Sequence, residues 1–250
     1  MSNQRVHSLT SIPPHAPTPT DTMVGLHGLA QYRHAIETVL AENIQGDLLE
    51  AGVWRGGASI WAVALLDEHN ALSGGGGDGS GGGQLRRVWL CDSFRGLPPS
   101  RMATDIKAGF QPPAFVAVSV DSVLANMRAA LGVDFAATRG LPSSSIAPSS
   151  PSPPSSSDAS TSSSDMAPLV ILEGYFNVTM PTIPPRATFS IIRLDGDLFE
   201  SYMDVLFNTY DKLAIGGYII CDDMTLTPVR YMHADVNAVH HFLQVCFPRR

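Results

Sequence analysis

The chain has 250 residues, 44% of them hydrophobic and 16% charged, enough to bury one sizeable core, so a single domain with loops is the first expectation. A net charge of −7, an isoelectric point near 5.5 and the lack of any basic cluster argue against a nucleic-acid partner. No apolar run is long enough to span a bilayer, so no membrane partner is expected.

Residues 1–20 contain no acidic residue and no hydrophobic signal core. They read as a disordered leader on a cytoplasmic protein, with a short Ser/Thr-rich organellar transit peptide as the alternative. Of the three cysteines, Cys91 and Cys221 sit in apolar runs, which fits buried thiols in a reducing compartment rather than a disulfide framework.

An ordered domain is expected over 21–228. Asp21 can cap a helix with Leu26, Leu29, Ile36, Val39 and Leu40 on one side, ended by Asn43 and Gly46. A strand over 47–53, the turn WRGG and a helix from 58 to about 70 follow, then a strand over 88–91. Pro98, Pro99, Pro112 and Pro113 make 93–120 a long loop, and a helix resumes over 121–131. Strands over 169–172 and 190–194 lead to a helix over 200–213 with Tyr202, Leu206, Tyr210 and Leu213 on one stripe. Gly216 and Gly217 should end that helix before a last strand over 218–221. Strands alternating with helices imply an α/β fold, a Rossmann-like doubly wound and mostly parallel sheet.

Two low-complexity stretches, 73–83 and 143–165, cannot bury enough apolar surface to offset their ordering entropy and are expected to be disordered insertions. Each is expected between a helix and the next strand, at the amino edge of the sheet. Residues 229–250 hold room for one helix or a tail, which leaves open a sheet lacking its final strands, with 218–221 as an uncovered apolar edge. His233, His240 and His241 there fit a surface helix better than a metal site.

The expected strands end in carboxylates: Glu50, Asp92, Glu173, Asp195, and Asp222 with Asp223. In an open parallel sheet the ligand crevice lies at the carboxyl ends of the strands. Neighbouring strands run about 4.8 Å apart, so Asp195, Asp197, Asp222 and Asp223 would converge if their strands are adjacent. Such like charge calls for raised pKa values or for a hard cation, and an oxygen-only set suits Mg²⁺, Mn²⁺ or Ca²⁺ better than zinc.

Behind the first strand, Glu50, Gly52, Gly56 and Gly57 form a GxxxGG turn with an acid ahead of it. That spacing is not the GxGxxG of dinucleotide binding, and the acid repels phosphate, which disfavours an NAD-dependent oxidoreductase and suits a cationic or hydroxyl-rich cofactor. Asp92 is suited to accept hydrogen bonds from ribose hydroxyls. Trp54 and Trp61 read as ordinary packing.

The blocks DTMVGLHGL, GDLLEAGVWRGGASI, VWLCDSFRGLP, ILEGYFNVTMP, IIRLDGDLFESYMDVL and GGYIICDDMTLTP together resemble the macrocin O-methyltransferase family, which modifies sugars of macrolide and aminocoumarin antibiotics. The resemblance covers most of 21–228 outside the insertions, and the chain leaves the family pattern after Pro228. It implies an S-adenosylmethionine- and Mg²⁺-dependent O-methyltransferase acting on a hydroxyl of a small molecule, a sugar diol or a phenolic natural product. By position, Asp195, Asp222 and Asp223 match the metal-binding acids and Asp197 the general base. Glu50, Gly52, Asp92 and Ser93 match the cofactor pocket, with Gly174 and Tyr175 near the adenine. The family's N-terminal helical region helps form a dimer, so a homodimer is a partner the resemblance allows. A catalytically silent family member that keeps the cofactor or metal sites is the second reading.

Overall fold

Runs such as Leu48-Leu49, Val88 to Cys91 and Leu169 to Leu172 are apolar at every position, the pattern of strands buried on both faces. The structure, a computed structural model, is described for residues 22–69, 71–72, 85–103, 106, 114–134, 136–140 and 168–222. Among these residues the strands are β1 (Asp47–Ala51), β2 (Val88–Asp92), β3 (Ala137–Arg139), β4 (Leu169–Glu173), β5 (Phe189–Leu194) and β6 (Leu213–Cys221). They form one sheet in the order β3-β4-β2-β1-β5-β6, and every pairing is parallel. The order runs outward in both directions from β1, so the crevice of the sheet opens where β1 meets its neighbours.

Helices cover both faces. Leu48, Val88, Leu90, Leu169, Ile171 and Ile191 face one core with α1 (Leu26–Ala41), α2 (Gly57–Glu68) and α3 (Val120–Leu131). Their strand neighbours Leu49, Trp89, Cys91, Val170, Leu172 and Ile192 face the other, with the short helix α4 (Phe176–Thr179) alongside and α5 (Phe199–Thr209) packed over it. Alternation along each strand thus splits one apolar run between two cores.

Three expectations are corrected. The first helix begins at Leu26 with Gly25 as its N-cap, and Leu26 itself is exposed; Asp21 lies outside the described residues. The helix over 200–213 ends at Thr209, a single 3-10 turn covers Tyr210–Lys212, and Leu213 already opens β6. Gly216 and Gly217 therefore sit inside a strand, in the stretch where the register between β5 and β6 shifts between Phe189 and Ile191. Paired glycines that read as a helix terminator mark an irregularity in a strand instead.

The strand β3 was not expected. It is three residues long and polar enough to give no period-2 signal. Its presence matters for the second low-complexity stretch, which follows β3 rather than a helix. The chain leaves the carboxyl end of β3 at Gly140 and re-enters the amino end of β4 at Pro168. The first stretch lies outside the described residues, and Leu72 and Arg86, on either side of it, form a parallel bridge ahead of β2.

At the amino edge, Arg86 is fully buried and ties three segments together. Its guanidinium donates to the carbonyls of Gly46 (2.6 Å) and Ile44 (2.6 Å) and to Ser190 Oγ (2.9 Å). Beside it, the Asp47 carboxylate accepts from the Arg87 backbone N–H (3.0 Å) and from Trp89 Nε1 (2.8 Å). With the base of the first stretch pinned in this way, removing Gly74 to Gly83 should change unfolding free energy by no more than about 1.3 kcal/mol, the scale of a roughly fourfold shorter loop. Urea denaturation checks this, and a loss above about 2 kcal/mol would show that the stretch packs on the domain.

Candidate active site

Beyond the ladders, backbone hydrogen bonds stitch the carboxyl ends of four strands together. The N–H of Gly52 donates to the carbonyl of Cys91 (2.9 Å), that of Asp195 to Ala51 (2.8 Å) and that of Gly174 to Asp92 (2.9 Å). Gly52 has φ +93°, and a Cβ there would lie 1.8 Å from the Asp195 carbonyl oxygen. The glycine is thus required by the crossing of two strand ends, a stronger demand than close approach of a cofactor. Gly56, at φ +90°, then starts α2.

Asp92 ties this turn to β2. Its Oδ2 accepts from the N–H groups of Val53 (2.7 Å) and Trp54 (3.4 Å), and its Oδ1 from Phe94 (2.8 Å). Ser93 Oγ donates to the Gly96 carbonyl (2.5 Å) and accepts from the Arg95 N–H (3.0 Å), closing the next turn. Trp54, Phe94 and Asp197 all have left-handed backbones, at φ +47°, +54° and +58°. Each follows the end of a different strand at the crevice, where strained backbone is commonly held for function. In the DGD segment the positive φ falls on Asp197 and not on Gly196. Gly196 is small for another reason: a Cβ there would meet Ser201 Cβ at 2.9 Å and Phe176 Cε2 at 3.4 Å.

The charge problem posed by the acids has an answer inside the chain. Arg193, the cross-strand partner of Glu50 in the β1–β5 ladder, has a side chain only 2% exposed. Its Nη1 donates to Glu50 Oε1 (2.9 Å), and its Nη2 donates both to Asp195 Oδ2 (3.0 Å) and to Asp222 Oδ1. The second oxygen of Glu50 accepts from Ser59 Oγ on α2. Burial pushes the Glu50 carboxyl above its usual range, against the opposing pull of Arg193 and Ser59. Burial pushes the guanidinium down, but Asp195, Glu50 and Asp222 together outweigh it and hold it above the ordinary arginine value.

A cleft of about 310 Å³ opens above this network, within the range of small-molecule sites. It is lined by Gly52, Asp92, Ser93 and Tyr175 from the β1, β2 and β4 ends, and by Asp195 and Asp197 from the β5 end. The structure thus gathers six of the residues singled out from sequence. Glu50 does not line the cleft: it is 1% exposed and both its oxygens are engaged below, so it is a buried counter-charge of Arg193 rather than a cleft group. Gly174 supports Tyr175 through its backbone, and a Cβ there would lie 2.9 Å from Thr179 Cγ2. Asp195 and Asp222 do converge, on one nitrogen of Arg193, whereas Asp223 and the three histidines of the tail lie outside the described residues. Among the described residues, no group of three or more His, Cys, Asp or Glu is placed to hold a metal ion. Nor is any helix there long and apolar enough to cross a membrane.

Among the lining residues that sequence reasoning did not assign to the site are Trp54, Arg101, Glu200 and Asp204. Trp54 reaches the cleft with its Nε1 donating to the Phe115 carbonyl (3.0 Å) and the Arg55 guanidinium 4.8 Å from its ring. Trp61, by contrast, packs in the core as expected and donates to the Leu29 carbonyl (3.1 Å). Glu200 and Asp204 stand one turn apart on α5, a spacing visible in the sequence beside the apolar stripe. Arg101 had no signal, since it reaches α5 from a distant loop.

A parallel sheet with its crevice beside β1, acids at the strand ends and no phosphate-binding glycine pattern defines a class I methyltransferase type of fold. The sequence pattern of the Macrocin-O-methyltransferase (TylF) family matches residues 4–134 and 165–244, and the chain belongs to that family. The match extends well past Pro228, where the resemblance was expected to stop, and it begins within the stretch read as a leader. The chain is 33% identical over 218 residues to demethyldecarbamoylnovobiocin O-methyltransferase of Streptomyces niveus, covering 85% of this chain and 65% of that protein. It is 32% identical over 230 residues to 8-demethyl-8-(2,3-dimethoxy-alpha-L-rhamnosyl)-tetracenomycin-C 4'-O-methyltransferase of Streptomyces olivaceus, covering 90% of this chain and 69% of that one. Among solved structures it resembles the O-methyltransferase NovP, at 29% identity and a TM-score of 0.62, over 92% of this chain and 76% of NovP. The calicheamicin methyltransferase CalS11 shares the fold, with a TM-score of 0.58 at 16% identity over 88% of this chain and 70% of that one.

Replacing Arg193 with Leu should cost about 3 to 5 kcal/mol by leaving buried carboxylates uncompensated, and adding Glu50→Gln should recover part of that loss. Urea unfolding of the two variants measures this. A loss below about 1 kcal/mol in the single variant would mean that the guanidinium is not the counter-charge of this edge.

Proposed function

We propose that the chain is an S-adenosylmethionine-dependent O-methyltransferase acting on a hydroxyl of a sugar or related natural product. The observation that carries this reading is the cleft that joins Asp92, Ser93 and Tyr175 to Asp197, in a member of a family whose named relatives methylate antibiotic sugars or scaffolds. When bound, S-adenosylmethionine supplies an electrophilic methyl group on a sulfonium. The residues fit it chemically. Asp92 keeps two short backbone hydrogen bonds, while its contact with the Trp54 N–H and that from Ser93 Oγ are each 3.4 Å, so ribose hydroxyls can take their place. Gly52 brings bare backbone to the cleft, and Tyr175, 39% exposed, offers an aromatic face beside it.

Asp197 takes the proton from the acceptor hydroxyl. It lines the cleft beyond the end of β5, on a left-handed backbone, where an acceptor hydroxyl in the cleft can reach it. Holding acceptor and cofactor in line is the larger part of the catalysis, and the stitched strand ends give the rigidity it needs.

Mg²⁺ is proposed as an accessory ion at Asp195, Asp222 and Asp223. The described residues by themselves do not make that site, where Arg193 engages one oxygen of Asp195 and one of Asp222, and no step above depends on the ion.

Calorimetry should show S-adenosylmethionine binding and no NAD binding, and a panel of catechols and sugar diols should reveal turnover. Absence of S-adenosylmethionine binding overturns the reading. Asp197→Asn should keep cofactor affinity while slowing methyl transfer by about 10² to 10⁴, with a smaller loss at higher pH where the acceptor hydroxyl ionises unaided. An undiminished rate would remove Asp197 as the base. Full activity in excess chelator would remove the cation.

A further inference from the structure

The α5 wall of the cleft carries polar groups for which the reading above has no use. Glu200 is held in place: its Oε1 accepts from the Arg101 N–H (3.2 Å) and its Oε2 from Arg101 Nε (3.2 Å). This two-point clasp joins the loop after β2 to the first turn of α5 and fixes the wall. Asp204, one turn further along the same helix, is different. It lines the cleft and is half-buried, yet among the described residues no group donates a hydrogen bond to its carboxylate. Burial and then Glu200 push its carboxyl above the usual range, against the pull of Arg101. A carboxylate partly withdrawn from water and offered no donor is unfavourable in the empty protein, and a donor on a bound ligand relieves it.

We propose that Asp204 is a specificity-determining residue for the acceptor, accepting hydrogen bonds from hydroxyls of a polyhydroxylated ring beside the hydroxyl that faces Asp197. The assignment rests on the methyltransferase reading and adds the ligand chemistry of one wall. Two features select this ligand class. Among the described lining residues Arg101 is the only cation, and it is engaged by Glu200, so Asp195, Asp197 and Asp204 disfavour an anionic acceptor. Leu97, Pro98 and Pro99 give the same cleft an apolar side, and a sugar ring has both an apolar face and a hydroxyl edge.

The test uses saturation-transfer NMR on the full chain loaded with S-adenosylhomocysteine. The probes are methyl α-D-glucopyranoside, its monodeoxy derivatives and the corresponding glucuronide. The wild type should bind the parent glycoside and not the glucuronide. Asp204→Ala should weaken the parent about tenfold while S-adenosylhomocysteine affinity holds, and Asp204→Asn, which keeps the shape, should give a smaller loss. One monodeoxy derivative should bind wild type and Asp204→Ala equally, identifying the hydroxyl that Asp204 accepts from. Equal binding of the parent by wild type and both variants overturns the assignment, as does failure of the loaded wild type to bind any of the glycosides. Failure to bind S-adenosylhomocysteine at all sinks the methyltransferase reading, and the inference with it.

Discussion

Everything at the carboxyl edge of the sheet depends on one buried guanidinium. Arg193 reaches Glu50 at the end of β1, Asp195 beyond β5 and Asp222 beyond β6, so a single side chain binds three strand ends by charge as well as by position. Glu50 and Arg193 point to the face covered by α1 and α2, where Ser59 and the buried Tyr32 surround them. Both side chains are only 2% exposed, so solvent screens the pair little. Among the described residues the hydroxyl of Tyr32 has no hydrogen-bond partner, and burial followed by the charge of Glu50 raises its pKa. A buried ion pair with two half-buried acids at its rim adds little net stability over an apolar replacement, and its worth lies in fixing one geometry. Here that geometry is the floor of the cleft.

Arg86 makes an instructive contrast at the opposite edge. It is as deeply buried, but its guanidinium bonds mainly backbone carbonyls and a serine, and burial lowers its pKa with only Asp47 in opposition. One arginine closes an edge by satisfying carbonyls; the other arranges carboxylates beneath a ligand site. The sheet separates these tasks by its two ends, as expected for a parallel α/β fold.

The strands β1, β2, β4 and β5 were legible because they are largely apolar runs followed by acids, and their parallel direction follows from the alternation with helices. What could not be read was the partner of the acids. The arginine sat in plain view in IIRLDGD, but strand alternation alone does not say which residue of β1 stands opposite, so the sequence offered raised pKa values or a cation and not this internal partner. Similarly, Gly52 was seen as a cofactor glycine when its first duty is the crossing with Asp195. Glu200, Asp204 and Arg101 were missed because attention to the apolar stripe of α5 hides the polar face, and because a loop-to-helix contact spanning about a hundred positions has no local signature. The strand β3 is too short and polar to announce itself.

Trp54, Phe94 and Asp197 hold left-handed backbones without being glycine. Each such residue costs of order 1 kcal/mol or more relative to a residue at ease there. Selection for thermostability alone would therefore drift toward Gly or Asn at Trp54 and Phe94, and the gain would come from relaxing the very loops that shape the cleft. These positions form a natural boundary for engineering: a library that freezes them can seek stability in the two cores, whereas one that frees them trades catalytic order for a higher melting point.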